Sequence, residues 1–354
     1  MTAPEVEVVV VGAGVMGAAT ARALARSGRE VLILEQFDLG HDRGSSHGAS
    51  RVFRLSYEDP TYVRMAQESL PMWRELEEES GGDLLVTTGG VDIGPGAVAN
   101  ARALEACGAP FERMDGRAAT ERFPMFSLPP DIAALYQPDA GMLHAEVAIR
   151  SFVGSATAHG TEVRGRTRVT GLATGEDGVA VVTESGTIRA GVVVVTAGAW
   201  ARPLLSTAGV DVPVVPTRET VAYFAMDEAW PPILMQWEAA PYYALPDPGR
   251  GIKAAQHHAG PVTDPGRDGE VSEEAVARLS AWVKERLPDA DPAPRRAETC
   301  LYTNTDDEGF ILERHGRVVV GSACSGHGFK FAPLIGGRLA ALADEALVAG
   351  QPRT

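Results

Sequence analysis

Residues 8–17 narrow what this chain can fold into more than any other stretch. Val8–Val11 is a short β-branched run that reads as a buried strand, and it leads directly into Gly12-Ala13-Gly14-Val15-Met16-Gly17. A helix follows over Ala18–Arg26 and ends near Gly28, and a second strand, Val31–Leu34, closes on Glu35. G-x-G-x-x-G inside a complete βαβ unit has a physical reading. Gly12 permits the tight turn, Gly14 lets the backbone approach a pyrophosphate, and Gly17 lets helix pack on strand, while the helix N-terminus offers free N–H groups to phosphate. Glu35 is placed to accept from the adenosine ribose, and a carboxylate there disfavours a 2′-phosphate, which makes NADP the poorest dinucleotide. NAD and FAD both remain open at this point.

With 354 residues and 45% hydrophobic content, the chain can bury two cores. The net charge of -15 repels nucleic acid and anionic lipid. No apolar segment approaches the roughly 20 residues that span a bilayer. Met1 to Gly17 carries no basic residue before its apolar run, so no signal peptide is expected. Cys107, Cys300 and Cys324 form an odd set without metal spacing, so neither a disulfide framework nor a metal site is expected, and a reducing compartment is. These features predict a cytoplasmic protein, taken as a monomer, that acts on small molecules.

Further along, Arg164 to Val195 reads as a small β-meander with turns at Gly175-Glu176-Asp177-Gly178 and Ser185-Gly186. It ends in Val192–Val195 followed by Thr196-Ala197-Gly198, a late strand returning to the first sheet. Two amphipathic helices stand out. Tyr62–Glu78 carries Met65, Leu70, Trp73 and Leu76 on one stripe with Pro71 as an expected kink, and Glu273–Leu287 carries Val276, Leu279, Trp282 and Val283 behind a Ser272 cap. Leu334–Leu347 reads as a last, alanine- and leucine-rich helix. Asp59, before Pro60, reads as a turn former.

Three segments carry a resemblance: Gly44-Ser45-Ser46-His47-Gly48-Ala49-Ser50-Arg51-Val52-Phe53-Arg54, Cys300-Leu301-Tyr302-Thr303 and Ser325-Gly326-His327-Gly328-Phe329-Lys330-Phe331. In this order the chain resembles the monomeric sarcosine oxidase and N-methyltryptophan oxidase family from Val8 to about Leu347. The resemblance implies FAD as cofactor, joined through the sulfur of Cys300 to the 8α position of the ring. Attack on the flavin needs a thiolate, so nearby positive charge is expected to lower the Cys300 pKa, with Arg295 and Arg296 the nearest cations in sequence. Without the motif, Cys300 reads as a buried structural thiol. Cys324 departs from the family, which usually carries phenylalanine there, and is a rival attachment point. Ala49-Ser50 and Gly309 are further departures.

The same likeness assigns roles. Arg54 and Lys330 would clamp a substrate carboxylate, the arginine through its two-donor fork, with Tyr302, Tyr243 and His257 shaping the pocket. Lys253 would sit over the flavin and favour charge developing on oxygen. His47 and Arg51 would line the other flavin face or hold the ring carbonyls. Gly12, Gly14, Gly17, Glu35, Ser45, Arg51, Val169, Gly198, Cys300, Gly326, Gly328 and Lys330 would contact the cofactor. His258 reads as a bystander beside His257, and His41 stands in no motif.

The architecture implied is α/β. A discontinuous Rossmann-like FAD domain (1–85, 144–214 and 301–354) is expected, with an α+β substrate domain on a mixed sheet inserted twice (86–143 and 215–300). The reaction implied is oxidation of a secondary amino acid, N-methylated or cyclic, with O2 as acceptor. A flavin dehydrogenase, or an oxidase of a cyclic imino acid or of a specialised-metabolite intermediate, is the alternative.

Overall fold

The computed structural model describes residues 5–227, 230–249 and 251–349. The outermost ends of the expected FAD domain, residues 1–4 and 350–354, lie outside the described residues.

Valines make the centre of the first sheet. Val6–Val11 pairs in parallel with Val31–Leu34 on one side and Gly186–Val195 on the other. Strands covered on both faces are apolar throughout rather than alternately. Here Val8, Val10, Ile33, Val192 and Val194 face the core shared with helices Val15–Arg26 and Ala332–Ala349, while Val9, Val11, Leu32, Leu34, Val193 and Val195 face Leu204 and Leu205.

Gly186–Val195 serves two further neighbours. Its first half pairs antiparallel with Val179–Thr183, and its second half pairs in parallel with Val318–Ser322. The expected meander starts at Val169 and not at Arg164, because Glu162–Arg164 pairs with Val31–Leu34 at the opposite edge.

The second sheet has eight strands, in the order Ala290–Asn304, Val215–Met226, Gly251–Gln256, Tyr242–Asp247, Ile233–Gln236, Gly90–Ile93, Ala133–Gln137 and Glu112–Asp115. It is mixed, since Ile233–Gln236 runs parallel to Gly90–Ile93 and the other neighbours are antiparallel. A third sheet of three short strands, Ser50–Phe53, Gly141–His144 and Leu85–Val86, stands apart. The protein is therefore α/β, with a Rossmann-like sheet beside a mixed one.

The helices begin where their sequences say they should. Asp59 accepts from the Thr61 amide at 2.7 Å, so this supposed turn residue caps a helix, Pro60–Ser80, that runs on through Pro71 and ends at Gly81 with φ 66°. Ser272 caps Glu273–Arg286 by accepting from the Ala275 amide at 3.2 Å, and Leu279, Trp282 and Val283 bury against the second sheet. Helix Ala332–Ala349 lies close on Val15–Arg26, because a Cβ at Gly336 would come within 2.6 Å of the Ala19 backbone. Among the described residues no helix is long and apolar enough to cross a membrane.

Candidate active site

A cavity of about 880 Å³ runs from the glycine turn to the second sheet. That is near the top of the range of roughly 300–1,000 Å³ for small-molecule sites, as an extended dinucleotide requires.

At one end the glycines behave as the motif demands. Gly12 has φ 102° and its Cβ would meet the Thr196 carbonyl at 2.7 Å, while a Cβ on Gly17 would fall 1.9 Å from the Gly12 oxygen. Gly14 precedes the helix and faces Ser46, whose Oγ accepts from the Val15 amide at 3.2 Å. Glu35 accepts from the Ala13 amide at 2.9 Å and the Phe37 amide at 3.0 Å, so this acid at the end of the second strand pins the glycine turn. Burial pushes the Glu35 pKa up, but His41 and the two amides outweigh it and hold the carboxylate below its ordinary range. His41, 3.5 Å from Glu35, thus has a place that no motif announced. Val169 and Gly198, the latter at φ 52° where the returning strand ends, line the same space.

At the other end the sheet register does the placing. Lys253 lies opposite Tyr223 and Leu245, and Ala255 opposite Val221 and Tyr243. Period-two alternation therefore turns Lys253, Val221, Tyr243 and Leu245 to one face, the face of the cavity. Cys300 and Tyr302 share that face two residues apart. Lys253 is 4% exposed, and among the described residues its Nζ donates to the Ser50 carbonyl alone, at 3.5 Å. Burial, then Arg51, pulls its pKa down to about 7. Arg51 donates to the carbonyls of Ser50, Ser45 and His47 at 2.6–2.8 Å, which locks the loop between the glycine turn and strand Ser50–Phe53. Ser45 takes part through its carbonyl. His47 keeps Nε2 buried without a partner, and burial followed by Arg51 lowers its pKa to about 4, so the ring is neutral.

Cys300 corrects one expectation. The cations that reach it are Arg51 and Lys253, not Arg295 or Arg296, and burial outweighs them, so the thiol pKa lies above its ordinary value. Arg296 instead pairs with Glu298 at 2.7 Å and stacks on Tyr223. Cys324 lines the same cavity, its sulfur accepting from the Thr303 amide at 3.4 Å.

Arg54 and Lys330 do meet. Arg54 is 6% exposed, its guanidinium sits between the rings of Tyr57 at 3.8 Å and Trp237 at 4.6 Å, and its Nη1 is buried without a hydrogen-bond partner. Lys330 donates to the Tyr57 hydroxyl at 2.8 Å and to the His327 carbonyl. Burial, then Arg54, holds the Lys330 pKa well below its ordinary value. Tyr302 reaches His257 at 3.3 Å and bonds the Tyr243 hydroxyl, whose pKa burial pushes up to about 12. Gly326, at φ 72°, admits this packing, since its Cβ would fall 2.3 Å from the Tyr302 ring. A Cβ at Gly328 would strike the Ala323 carbonyl at 1.8 Å. His258 meets His257 edge to face at 4.1 Å and bonds the Ser325 carbonyl at 3.1 Å.

Motif reading missed Ser46, Tyr57, Asp92 and Trp237. Asp92 had a signal, an acid inside the apolar strand Gly90–Ile93; Ser46 lies inside the quoted Gly44–Arg54 segment and Tyr57 three residues past it, while Trp237 reaches the site through tertiary packing.

The residues fit an FAD group. Glycines that admit no Cβ stand at the phosphate end, while the unpartnered Nη1 of Arg54 and Nε2 of His47 are left at the other. Residues 7–342 match the model of the family described as FAD dependent oxidoreductase. Monomeric sarcosine oxidase of Bacillus sp. (strain NS-129) is 33% identical over 357 residues, covering 95% of this chain and 92% of that protein. N-methyl-L-tryptophan oxidase of Yersinia pestis (strain Pestoides F) is 29% identical over 349 residues, covering 93% of this chain and 92% of the relative. Among solved structures, NikD, an unusual amino acid oxidase essential for nikkomycin biosynthesis, in its open form, superposes with a TM-score of 0.86 at 29% identity, covering 97% of this chain and 95% of that one.

Glu35→Gln removes a charge that two buried amides use. It is expected to lower stability at neutral pH by about 1–3 kcal/mol. Because the folded pKa of Glu35 lies below its unfolded value, the native contribution is complete above the ordinary carboxylate range and is lost as pH falls through the folded pKa. Denaturant unfolding at pH 7 and near pH 3 should therefore show the deficit narrowing in acid, and an equal deficit at both would contradict the assignment.

Proposed function

The chain belongs to the FAD dependent oxidoreductase family, and we propose that it is an oxidase of a secondary amino acid, N-methylated or cyclic, with O2 as acceptor. The observation that carries this reading is the unpartnered Arg54 nitrogen beside Lys330, at the opposite end of one cavity from the glycine turn. A cationic pair buried beneath aromatic rings calls for an anion, and a carboxylate matches the arginine fork.

In this reading Arg54 and Lys330 bind the carboxylate and Tyr302, Tyr243 and His257 wall the pocket. The substrate amine enters as an ammonium and must lose its proton. Burial and the two cations favour that loss, and the free lone pair assists departure of hydride from the adjacent carbon. Bound FAD supplies the two-electron acceptor for that hydride. Water then splits the imine into a carbonyl compound and an amine, and O2 takes two electrons and two protons to become hydrogen peroxide. Lys253 stands on the cavity face as a cation near where charge develops on oxygen. That placement favours the oxidase over a dehydrogenase that hands its electrons to another acceptor. Cys300 is the proposed attachment point, and Ser45, Val169, Gly198, Gly326 and Gly328 are proposed cofactor contacts. We further assign residues 1–85, 144–214 and 301–354 to the FAD domain and 86–143 and 215–300 to the substrate domain, in a monomeric cytoplasmic protein.

The Lys253 charge is full below about pH 7 and lost above it. Stopped-flow reoxidation of the reduced enzyme by O2 is therefore expected to slow as pH rises through that value, and Lys253→Met should be slow at every pH. A variant that reoxidises at the wild-type rate would rule out the lysine's role. For the flavin link, yellow colour should stay with the denatured polypeptide, vanish in Cys300→Ser and persist in Cys324→Ser. Colour that follows Cys324 instead would move the attachment there.

A further inference from the structure

The mechanism above makes no use of Asp92. This carboxylate is 2% exposed, on a strand whose neighbours Val91 and Ile93 belong to the second-sheet core. Parallel register sets it opposite Met235, and two residues further Trp237 anchors its main chain to the next turn, donating to the Ile93 carbonyl at 2.8 Å and accepting from the Gly96 amide. Glycines make room there, since a Cβ at Gly96 would meet the Trp237 Cβ at 2.5 Å. The indole is fixed separately. Asp92 Oδ2 accepts from Trp237 Nε1 at 3.0 Å and from Asn100 Nδ2 at 2.8 Å.

Trp237 is thus held at its backbone by one turn and at its ring by one buried acid. The ring so held is one of the two faces that enclose the Arg54 guanidinium, Tyr57 being the other. Arg54 is also the cation whose charge acts on Asp92. A guanidinium between two flat rings keeps only its edge for binding, and the buried Nη1 on it has no protein partner. Whether that edge is held steady depends on whether the indole can turn, and the indole is fixed by Asp92.

We propose that Asp92 and Trp237 are positioning residues for the carboxylate clamp: the acid locks the indole, and the locked indole aims Arg54 at the substrate's carboxylate. This rests on the reading of Arg54 as the carboxylate ligand and goes further by naming what holds it in place. Two consequences follow. Removing the acid weakens binding of any small carboxylate, even one without an amine. It also leaves the flavin end of the cavity unchanged, because the bonds that hold the acid and the indole run to Asn100, to each other and to Arg54, and not to Lys253 or Cys300.

The test uses the flavin-loaded full chain with acetate as probe, its Kd read from the absorbance of the bound flavin, together with KM and kcat for the best amino acid substrate. Asp92→Asn is expected to raise the acetate Kd and the KM about tenfold, the scale of losing a charge-assisted hydrogen bond. The kcat should change less than the KM, and the flavin spectrum without acetate should stay as in wild type. Trp237→Phe keeps a ring and the buried charge but lacks the N–H, so it should move both constants in the same direction by less, and it carries the test if Asp92→Asn does not fold. Arg54→Met is the reference. If Arg54→Met loses acetate binding while Asp92→Asn and Trp237→Phe bind as wild type, the positioning proposal is overturned and the clamp stands. If Arg54→Met itself binds acetate as wild type, the clamp falls and the proposal with it.

Discussion

Buried positive charge governs this molecule. Arg54, Lys253 and Lys330 are each less than a tenth exposed and line one cavity, with Arg51 between them and the glycine turn. Taking a charge out of water costs several kcal/mol unless partners replace the solvent. Arg51 is satisfied by three carbonyls, and Lys330 by a tyrosine hydroxyl and a carbonyl. Arg54 has aromatic faces and a bare edge, and Lys253 has one long contact. What remains unmet is an appetite for negative charge at two places in the cavity. It is weakest at Lys253, whose pKa sits near neutrality, and strongest at Arg54, whose buried Nη1 has no partner.

The two sheets serve this arrangement in different ways. The first sheet is an apolar slab whose contribution is the end where Gly12, Gly14 and the start of helix Val15–Arg26 bring bare backbone to the cavity. Its acid, Glu35, ties that end to the second strand. The mixed sheet offers a face, on which register and alternation set Lys253, Tyr243, Cys300 and Tyr302 side by side. A one-residue slip in any of these strands would turn its residues away from the cavity. The burial that gives Lys253 its perturbed pKa also raises the Cys300 thiol, so flavin attachment at that sulfur would depend on Arg51 and Lys253 offsetting burial.

Local chemistry was legible in the sequence. The glycine turn with Glu35, the Ser272 cap and the buried stripe of Trp73 and Leu76 each depend on residues a few positions apart, and each appears in the fold. Asp59 was underestimated because Asp-Pro marks a turn and a helix start equally well. What surrounds Arg54 was not legible. Tyr57, three residues on, and Trp237, from a distant strand end, flank one guanidinium, and nothing near Arg54 in the chain points to the indole. The cations that act on Cys300 come from other strands, and the burial that outweighs them and reverses the expected sign of its pKa shift is set by tertiary packing. The meander was begun too early because Glu162–Arg164 is a short edge strand whose partner, Val31–Leu34, is far away in sequence.

The most direct measurement of the central claim compares peroxide production from one secondary amino acid with that from its methyl ester, at equal amine concentration and pH. A cationic clamp that orients the amine through the acid group predicts rapid peroxide release from the free acid and at least about a hundredfold lower kcat/KM for the ester, the scale of about 3 kcal/mol for a lost charge-assisted pair. Equal kcat/KM for acid and ester would contradict the account.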